Sequence, residues 1–199
     1  MTVPTTRQTI LEAAIACIEE HGLAKTTTRR IARAAGTNVA SINYHFRTKG
    51  DLIAEVLSMT IQHMLEDVIA AIDEPGRSLV ATVEDVFYYL IEGAKRYPGI
   101  TNAQLDSILV QKQYDGPAGQ AIRGVFHRLL ERVTQEYPRD DPAELEFALS
   151  QVAAAILLTM AAPGYLPLAE RYRPIDAERC RALARRYTEL LFAAWGKAL

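Results

Sequence analysis

Apolar residues in this chain recur every three to four positions, in stretches separated by residues that cannot continue a helix or that end one at little cost. The breaks are Gly22, Asp73-Glu74-Pro75-Gly76, Tyr97-Pro98-Gly99, Asp115-Gly116-Pro117, Tyr137-Pro138 and Pro163-Gly164. No strand-like alternation is sustained, and no repeat or low-complexity segment interrupts the pattern. The expected fold class is all-α. A first helix opens at Thr5, whose side chain is placed to cap it while Gln8 reaches back, and ends at Gly22. Short helices follow over about 28–35 and 39–46, then a long one from 49–51 to 72. Five more are expected at about 78–97, 100–112, 117–137, 142–161 and 176–197.

Charge divides the 199 residues unevenly. Residues 1–50 hold seven basic groups against three acids, a net of +4, while the rest holds fifteen against twenty-one, a net of −6. A basic end on an acidic remainder suits a protein that offers one end to a polyanion and keeps the other off it. The expected division is a head at 1–50 and a body at 51–199. Cys17 and Cys180 are far apart and in no metal-like spacing, which fits buried thiols in a reducing cytosol. Met1–Ile10 has no apolar core of the signal-peptide kind. The uncharged run from Phe147 to Ala169 contains Pro163, Gly164 and Pro167, and reads as a buried helix plus a loop, not a membrane span. A cytoplasmic protein is expected, on the nucleoid when bound to DNA, with no membrane partner.

The informative segment is Thr26–Lys49, where two short helices flank Gly36-Thr37-Asn38. Two helices that cross steeply must approach closely near their turn, and Ala32 and Ala35 are small enough to allow it. Gly36 stands where the chain leaves the first helix, a position that favours positive φ. Asn38 is a good cap for the second. Ile31, Val39, Ile42 and Phe46 are spaced to face inward and fix the interhelix angle. This is a helix-turn-helix, whose second helix enters the major groove of DNA. Its outward residues Thr37, Ala40, Ser41 and Asn43 are short and uncharged. Asn43 is suited to adenine, and Ala40 or Thr37 to a thymine methyl. Tyr44, His45 and Lys49 then offer donors to phosphates, and Thr27, Thr28 and Arg29 offer hydroxyls, amides and a guanidinium to the backbone across the groove.

The first fifty residues resemble the DNA-binding head of the TetR family. The resemblance rests on Thr26-Thr27, Ile31-Ala32, Ala35-Gly36 and above all Tyr44-His45-Phe46 with Lys49 and Leu52. It implies three head helices, a linking fourth helix, and a ligand-binding body whose last two helices dimerise. It also implies backbone contacts from Thr27, Thr28 and Arg29, groove contacts from the segment Thr37, Asn38, Ala40, Ser41 and Asn43, and phosphate contacts from Tyr44, His45 and Lys49. The sequence departs from the family at two places. Arg30 stands where an acid often completes the helix cap, and Asn43 stands where an aromatic residue is more usual.

In the 142–161 helix, Leu145, Leu149, Val152, Ile156 and Met160 form one stripe, while Phe147, Ala154, Leu157 and Leu158 make much of the rest apolar. A helix apolar nearly all round is covered on more than one side, most simply by a second subunit. The last helix carries Leu183, Tyr187, Leu190, Leu191 and Ala194 on one face. Together these two helices predict a homodimer built on a four-helix interface through Leu145, Leu149, Val152, Ile156, Leu183, Tyr187, Leu190, Leu191 and Ala194. Its DNA partner is then a palindromic operator. Met59, His63, Phe87, Tyr88, Tyr89, Ile91, Phe126 and Met160 are candidates to line a pocket for a small-molecule effector. His63 with Asp67, and His127 with Glu131, have a spacing that serves a helical ion pair as well as a metal. No nucleophile motif, phosphate-binding Gly loop or Cys pair is present, so neither an enzyme nor a cofactor nor a metal is expected. The expected protein is a ligand-released repressor.

Overall fold

The structure, a computed structural model, describes residues 5–136, 143–162 and 176–195. Within them the chain is helical without a strand. The helices are α1 (Thr6–His21), α2 (Thr28–Ala34), α3 (Val39–His45), α4 (Lys49–Asp73), α5 (Leu79–Arg96), α6 (Pro98–Leu109), α7 (Pro117–Glu136), α8 (Ala143–Ala161) and α9 (Ala177–Ala194), with a single 3₁₀ turn at Leu23–Lys25. The all-α expectation holds, and the ends fall within three residues of the spacing-based ones.

Two compact units form: Met1–Gln62 with Tyr97–Gly119, and His63–Arg96 with Gln120–Leu199. This partition differs from a division at residue 50 in one instructive way. Helix α6, remote in sequence, packs with the head helices. Ile100 and Ala103 join a core made by Ile10, Ala14 and Ile18 of α1, Ile31 of α2, Ile42 of α3 and Leu52 and Val56 of α4. The reason lies at the start of α6. Pro98 is its first residue and has no N–H to satisfy. The next two amides, of Gly99 and Ile100, donate to the two carboxylate oxygens of Glu19 on α1, at 2.9 and 2.8 Å. A carboxylate at that end also meets the positive pole of the helix. Gly99 is needed for the approach, because a Cβ there would lie 2.7 Å from the carbonyl oxygen of Ile18.

Local signals in the first unit are mostly obeyed. Thr5 caps α1 by accepting from the Gln8 amide at 3.3 Å, but the Gln8 side chain points to Glu12 instead of reaching back. Gly22 ends α1 at φ 76. Thr26 is fully buried, and its hydroxyl donates to the carbonyls of Gly22 and Cys17, tying the 3₁₀ turn to α1.

The second unit is centred on α5, α7, α8 and α9. Val83, Phe87 and Ile91 of α5 pack with Val125, Leu129 and Val133 of α7, Leu145, Leu149 and Ile156 of α8, and Cys180, Ala184, Leu191 and Phe192 of α9. One acid is buried at its edge. Asp85 is held between the guanidinium groups of Arg77 and Arg181, and Arg181 also lies over the Tyr88 ring, 3.8 Å from its centroid. A buried carboxylate needs such partners, since an uncompensated one is strongly destabilising. Arg132 of α7 donates to the carbonyl of Ile72, one of those that the end of α4 leaves open, and to that of Arg77 in the connection to α5. Both thiols are buried, and burial pushes the Cys17 and Cys180 pKa values up.

This packing corrects the phase of the expected dimer face. Leu145, Leu149, Ile156, Leu183 and Leu191 lie in the unit's own core, and Val152 and Tyr187 pack against it. Leu190 and Ala194 are exposed. A helix apolar all round carries no phase information, so its most continuous stripe was taken by α5 and α9 and not by a partner. The exposed residues of α8 include Phe147, Ala154 and Leu158, which share one side by spacing. Helix α8 is long and apolar enough to cross a membrane by length and composition, yet its inward stripe is already covered by protein.

The Glu19 clamp has a measurable consequence. Glu19→Ala is expected to destabilise the protein by about 1–2 kcal/mol, the loss of two hydrogen bonds to a charged acceptor at a half-buried site. Gly99→Ala is expected to cost about 1–3 kcal/mol through overpacking against a backbone that cannot yield. Urea unfolding reports both, and midpoints equal to wild type would show that α6 is not held this way.

Candidate nucleic-acid interface

The turn between α2 and α3 is built as the sequence implies. Gly36 has φ 63. Its N–H donates to the Arg33 carbonyl at 3.2 Å, and the Thr37 N–H to the Ala32 carbonyl at 2.9 Å. This pair of bonds is a Schellman closure, which satisfies the last carbonyls of α2 while turning the chain. Asn38 then caps α3, its side-chain oxygen accepting from the Ser41 amide at 2.8 Å. Thr27 caps α2 in the same manner, accepting from the Arg30 amide at 3.3 Å. Ile31, Ile42 and Phe46 are buried and fix α3 against the unit's core. Val39 is not. It is 37% exposed, a correction to the inward placement expected from its spacing.

All eleven residues proposed for DNA lie on one continuous stretch of the first unit, and none is buried. Thr27, Arg29, Asn38, Ala40, Asn43, Tyr44 and Lys49 are exposed, while Thr28, Thr37, Ser41 and His45 are half-buried. Tyr44 is 86% exposed, an unusual cost for an aromatic ring unless a partner covers it. Its ring meets His45 edge-on at 5.1 Å. Beyond α3, Thr48 and Asp51 cap α4 reciprocally. The Thr48 amide donates to Asp51 at 2.9 Å and the Asp51 amide to the Thr48 hydroxyl at 3.0 Å. Lys49 is thereby set at the first position of a long helix, beside that box.

The electrostatics are more selective than a count of charges. Arg7 is paired with Glu55 at 2.5 Å and stacked 5.0 Å from the Phe46 ring centroid, so its charge serves the core. Arg30, where an acid would have completed the cap of α2, folds back and donates to the Lys25 carbonyl at 3.3 Å. Lys25, Arg29, Arg33, Arg47 and Lys49 are exposed and make no ion pair among the described residues. Sequence reasoning missed Lys25, Arg33 and Arg47 as individual candidates. Their signal was the net charge itself.

Six of the eight candidate pocket residues meet in one cluster of the second unit, and Met59 and His63 stand apart from that cluster. Met59 packs against the core of the first unit, and His63 is exposed. Phe87 and Ile91 are buried in the core of the second, with Tyr88, Tyr89, Phe126 and Met160 packed against it. A cleft of about 410 Å³ does occur in the first unit, between α1 and α4, lined by Arg7, Glu55, Ser58 and Met59 among others. Among the described residues no group of three or more His, Cys, Asp or Glu is set to hold a metal.

Comparison with known proteins follows this geometry. The profile described as bacterial regulatory proteins, tetR family, matches residues 10–56, the segment that holds α1, α2, α3 and the start of α4. The nucleoid occlusion factor SlmA of Actinobacillus pleuropneumoniae is 30% identical over 96 residues, 48% of this chain and 47% of that one. The chain thus spans about half the length of these relatives. The HTH-type transcriptional regulator BetI of Cronobacter sakazakii is 24% identical over 187 residues, 92% of this chain and 89% of that one. The solved structure of the fatty acid degradation regulator FadR from Bacillus halodurans shares the fold, with a TM-score of 0.70 at 14% identity over 96% of both chains.

The cap of α3 is open to test by itself. Asn38→Ala is expected to destabilise the protein by about 1 kcal/mol, and Asn38→Ser to restore most of that loss. Thermal unfolding of the three proteins side by side checks it, and an Asn38→Ala protein as stable as wild type would mean that α3 does not depend on its cap.

Proposed function

We propose that this chain, which belongs to the TetR family of transcriptional regulators, is a repressor that binds a palindromic operator as a homodimer and is released by a small-molecule effector. DNA binding is the family's shared property. The observation that carries the finer reading is the outer face of α3: a neutral, largely exposed surface flanked by five cations without ion-pair partners. The cations hold phosphates and set orientation, while the neutral face meets base edges. A short polar surface with Asn43 at its centre suits direct readout, in which a paired amide contact to adenine discriminates by about 1–3 kcal/mol. The role is regulatory and not catalytic, and its place is the cytoplasm, on the nucleoid when bound.

The dimer is proposed on the face of α8 and α9 that their own core leaves open. Phe147, Ala154 and Leu158 share one side of α8 by spacing, and Leu158 is 45% and Phe147 67% exposed. Leu190 of α9 is 61% exposed, with Ala194 one turn on. The two helices are joined within one chain by a 2.9 Å hydrogen bond between Thr159 and Tyr187. Two copies of this helix pair would cover the exposed apolar side chains in a four-helix interface. A two-fold axis then repeats α3 about one or two DNA turns away, and the operator repeats in inverted sense.

Release is proposed to act through the second unit, where Tyr88, Tyr89, Phe126 and Met160 are the half-buried aromatic and flexible groups around the core. An effector that binds two arrangements of the dimer unequally shifts their populations, and a coupling of about 1–3 kcal/mol suffices.

Selection from a random DNA pool at physiological salt is expected to enrich an inverted repeat, and a pool without enrichment would oppose sequence-specific reading. On the selected site, Lys49→Ala should weaken binding to every sequence and lower the salt slope by about 0.9, one phosphate contact. An unchanged slope would remove Lys49 from the contacts. Phe147→Asp together with Leu190→Arg should leave a folded monomer in sedimentation, since neither residue is in the core. A persistent dimer would place the interface elsewhere.

A further inference from the structure

We infer that Val39 reads the 5-methyl group of a thymine in the major groove, beside the adenine taken by Asn43. This rests on the operator reading above and adds a specificity-determining residue to it. Val39 is a branched apolar side chain left 37% exposed on a helix whose other large apolar residues, Ile42 and Phe46, are 1% and 3% exposed. Helical geometry explains the difference. Residues advance about 100° each, so Val39 stands about 60° from Ile42 and about 40° from Asn43. It occupies the border between the buried face and the reading face. The rest of its surface is covered by the protein, and it is not among the residues that form the first unit's core.

Its neighbours narrow what can cover it. Asn38 has committed its side-chain oxygen to the Ser41 amide at 2.8 Å and serves first as a cap. Ala40 lies farther round the exposed face, about 60° beyond Asn43, and its short methyl reaches less far. Asn43 stands one turn after Val39, with Cβ atoms about 5–6 Å apart. That separation falls between one and two base-pair rises of about 3.4 Å. The exposed cations on the segments just before and after α3, Lys25, Arg29, Arg33, Arg47 and Lys49, favour a polyanion as the occupant over an apolar protein surface. On the major-groove edge of DNA the apolar group is the thymine methyl. Adenine paired with Asn43 and a methyl packed on Val39 therefore fall within one or two base pairs of each other in each half-site.

The test uses the full chain and its selected operator, with each thymine replaced singly by deoxyuridine, which removes the methyl and keeps the hydrogen-bonding pattern. Affinities are measured by anisotropy at fixed salt for wild type and for Val39→Ala, a substitution at an exposed position that favours the helix. One thymine in each half-site is expected to lose about fourfold with wild type, the value of one buried methyl, and nothing with Val39→Ala. Val39→Ala on the unmodified operator should bind as weakly as wild type on the modified one. Equal deoxyuridine losses in both proteins, or no loss at any thymine, would overturn the inference while leaving operator binding intact. A protein that selects no sequence would instead bring down the operator reading and this inference with it.

Discussion

One carboxylate holds the first unit to its shape. Glu19 belongs to α1, but its two oxygens finish α6, by accepting from the amides of Gly99 and Ile100. The start of a helix leaves amides without partners, and Pro98 removes only one of them. Tyr97, at the cap position, makes no side-chain cap bond. The missing acceptor is thus supplied from eighty residues away in sequence, and Gly99 lets the two backbones meet. Once α6 is fixed there, Gln104 can reach the Leu57 carbonyl and the Thr60 hydroxyl of α4, each at 3.4 Å. Helices α1, α4 and α6 then hold a core in which α2 and α3 also share. A reading surface is only as well placed as the scaffold behind it, and here that scaffold includes a helix from outside the DNA-binding segment.

The same economy of charge runs through the interface. Arg7 and Arg30, both counted in the basic head, are committed within the chain, Arg7 to Glu55 and the Phe46 ring and Arg30 to the Lys25 carbonyl. Lys25, Arg29, Arg33, Arg47 and Lys49 stay exposed and make no ion pair among the described residues. The operator reading proposed above therefore assigns affinity and specificity to different groups. In the operator complex proposed above, the exposed cations would lose strength as salt displaces them from phosphate, while Val39, Ala40 and Asn43 would discriminate by shape and hydrogen bonding. Placing a cation at the centre would have raised affinity for all DNA alike.

What the sequence revealed was what is local. The Gly36 turn, the Asn38 and Thr27 caps and the inward Ile31, Ile42 and Phe46 depend on contacts within a few residues, and each is present. The resemblance in Tyr44-His45-Phe46 located the head. What stayed hidden was either long-range or ambiguous in phase. No pattern joins Glu19 to Gly99. Val39 sits on the border of two faces, where a three-residue spacing alone allows either assignment. Arg30 counts toward the basic head, yet a carbonyl five residues back claims its guanidinium.

Helix α8 shows why phase is the hardest quantity to read. Its apolar residues number enough for two faces, and periodicity cannot say which face is spent at home. Folding resolves this by covering first what lies within the same chain. Leu145, Leu149 and Ile156 go to α5 and α9, while Phe147 and Leu158 stay outside. An apolar helix that served only one chain's core would gain nothing from a second greasy side, and would risk non-specific association through it. That α8 keeps one, while Leu190 is also exposed on the helix it packs against, is the physical argument for a second subunit. It holds independently of any resemblance in the head, since no residue of the reading face enters into it.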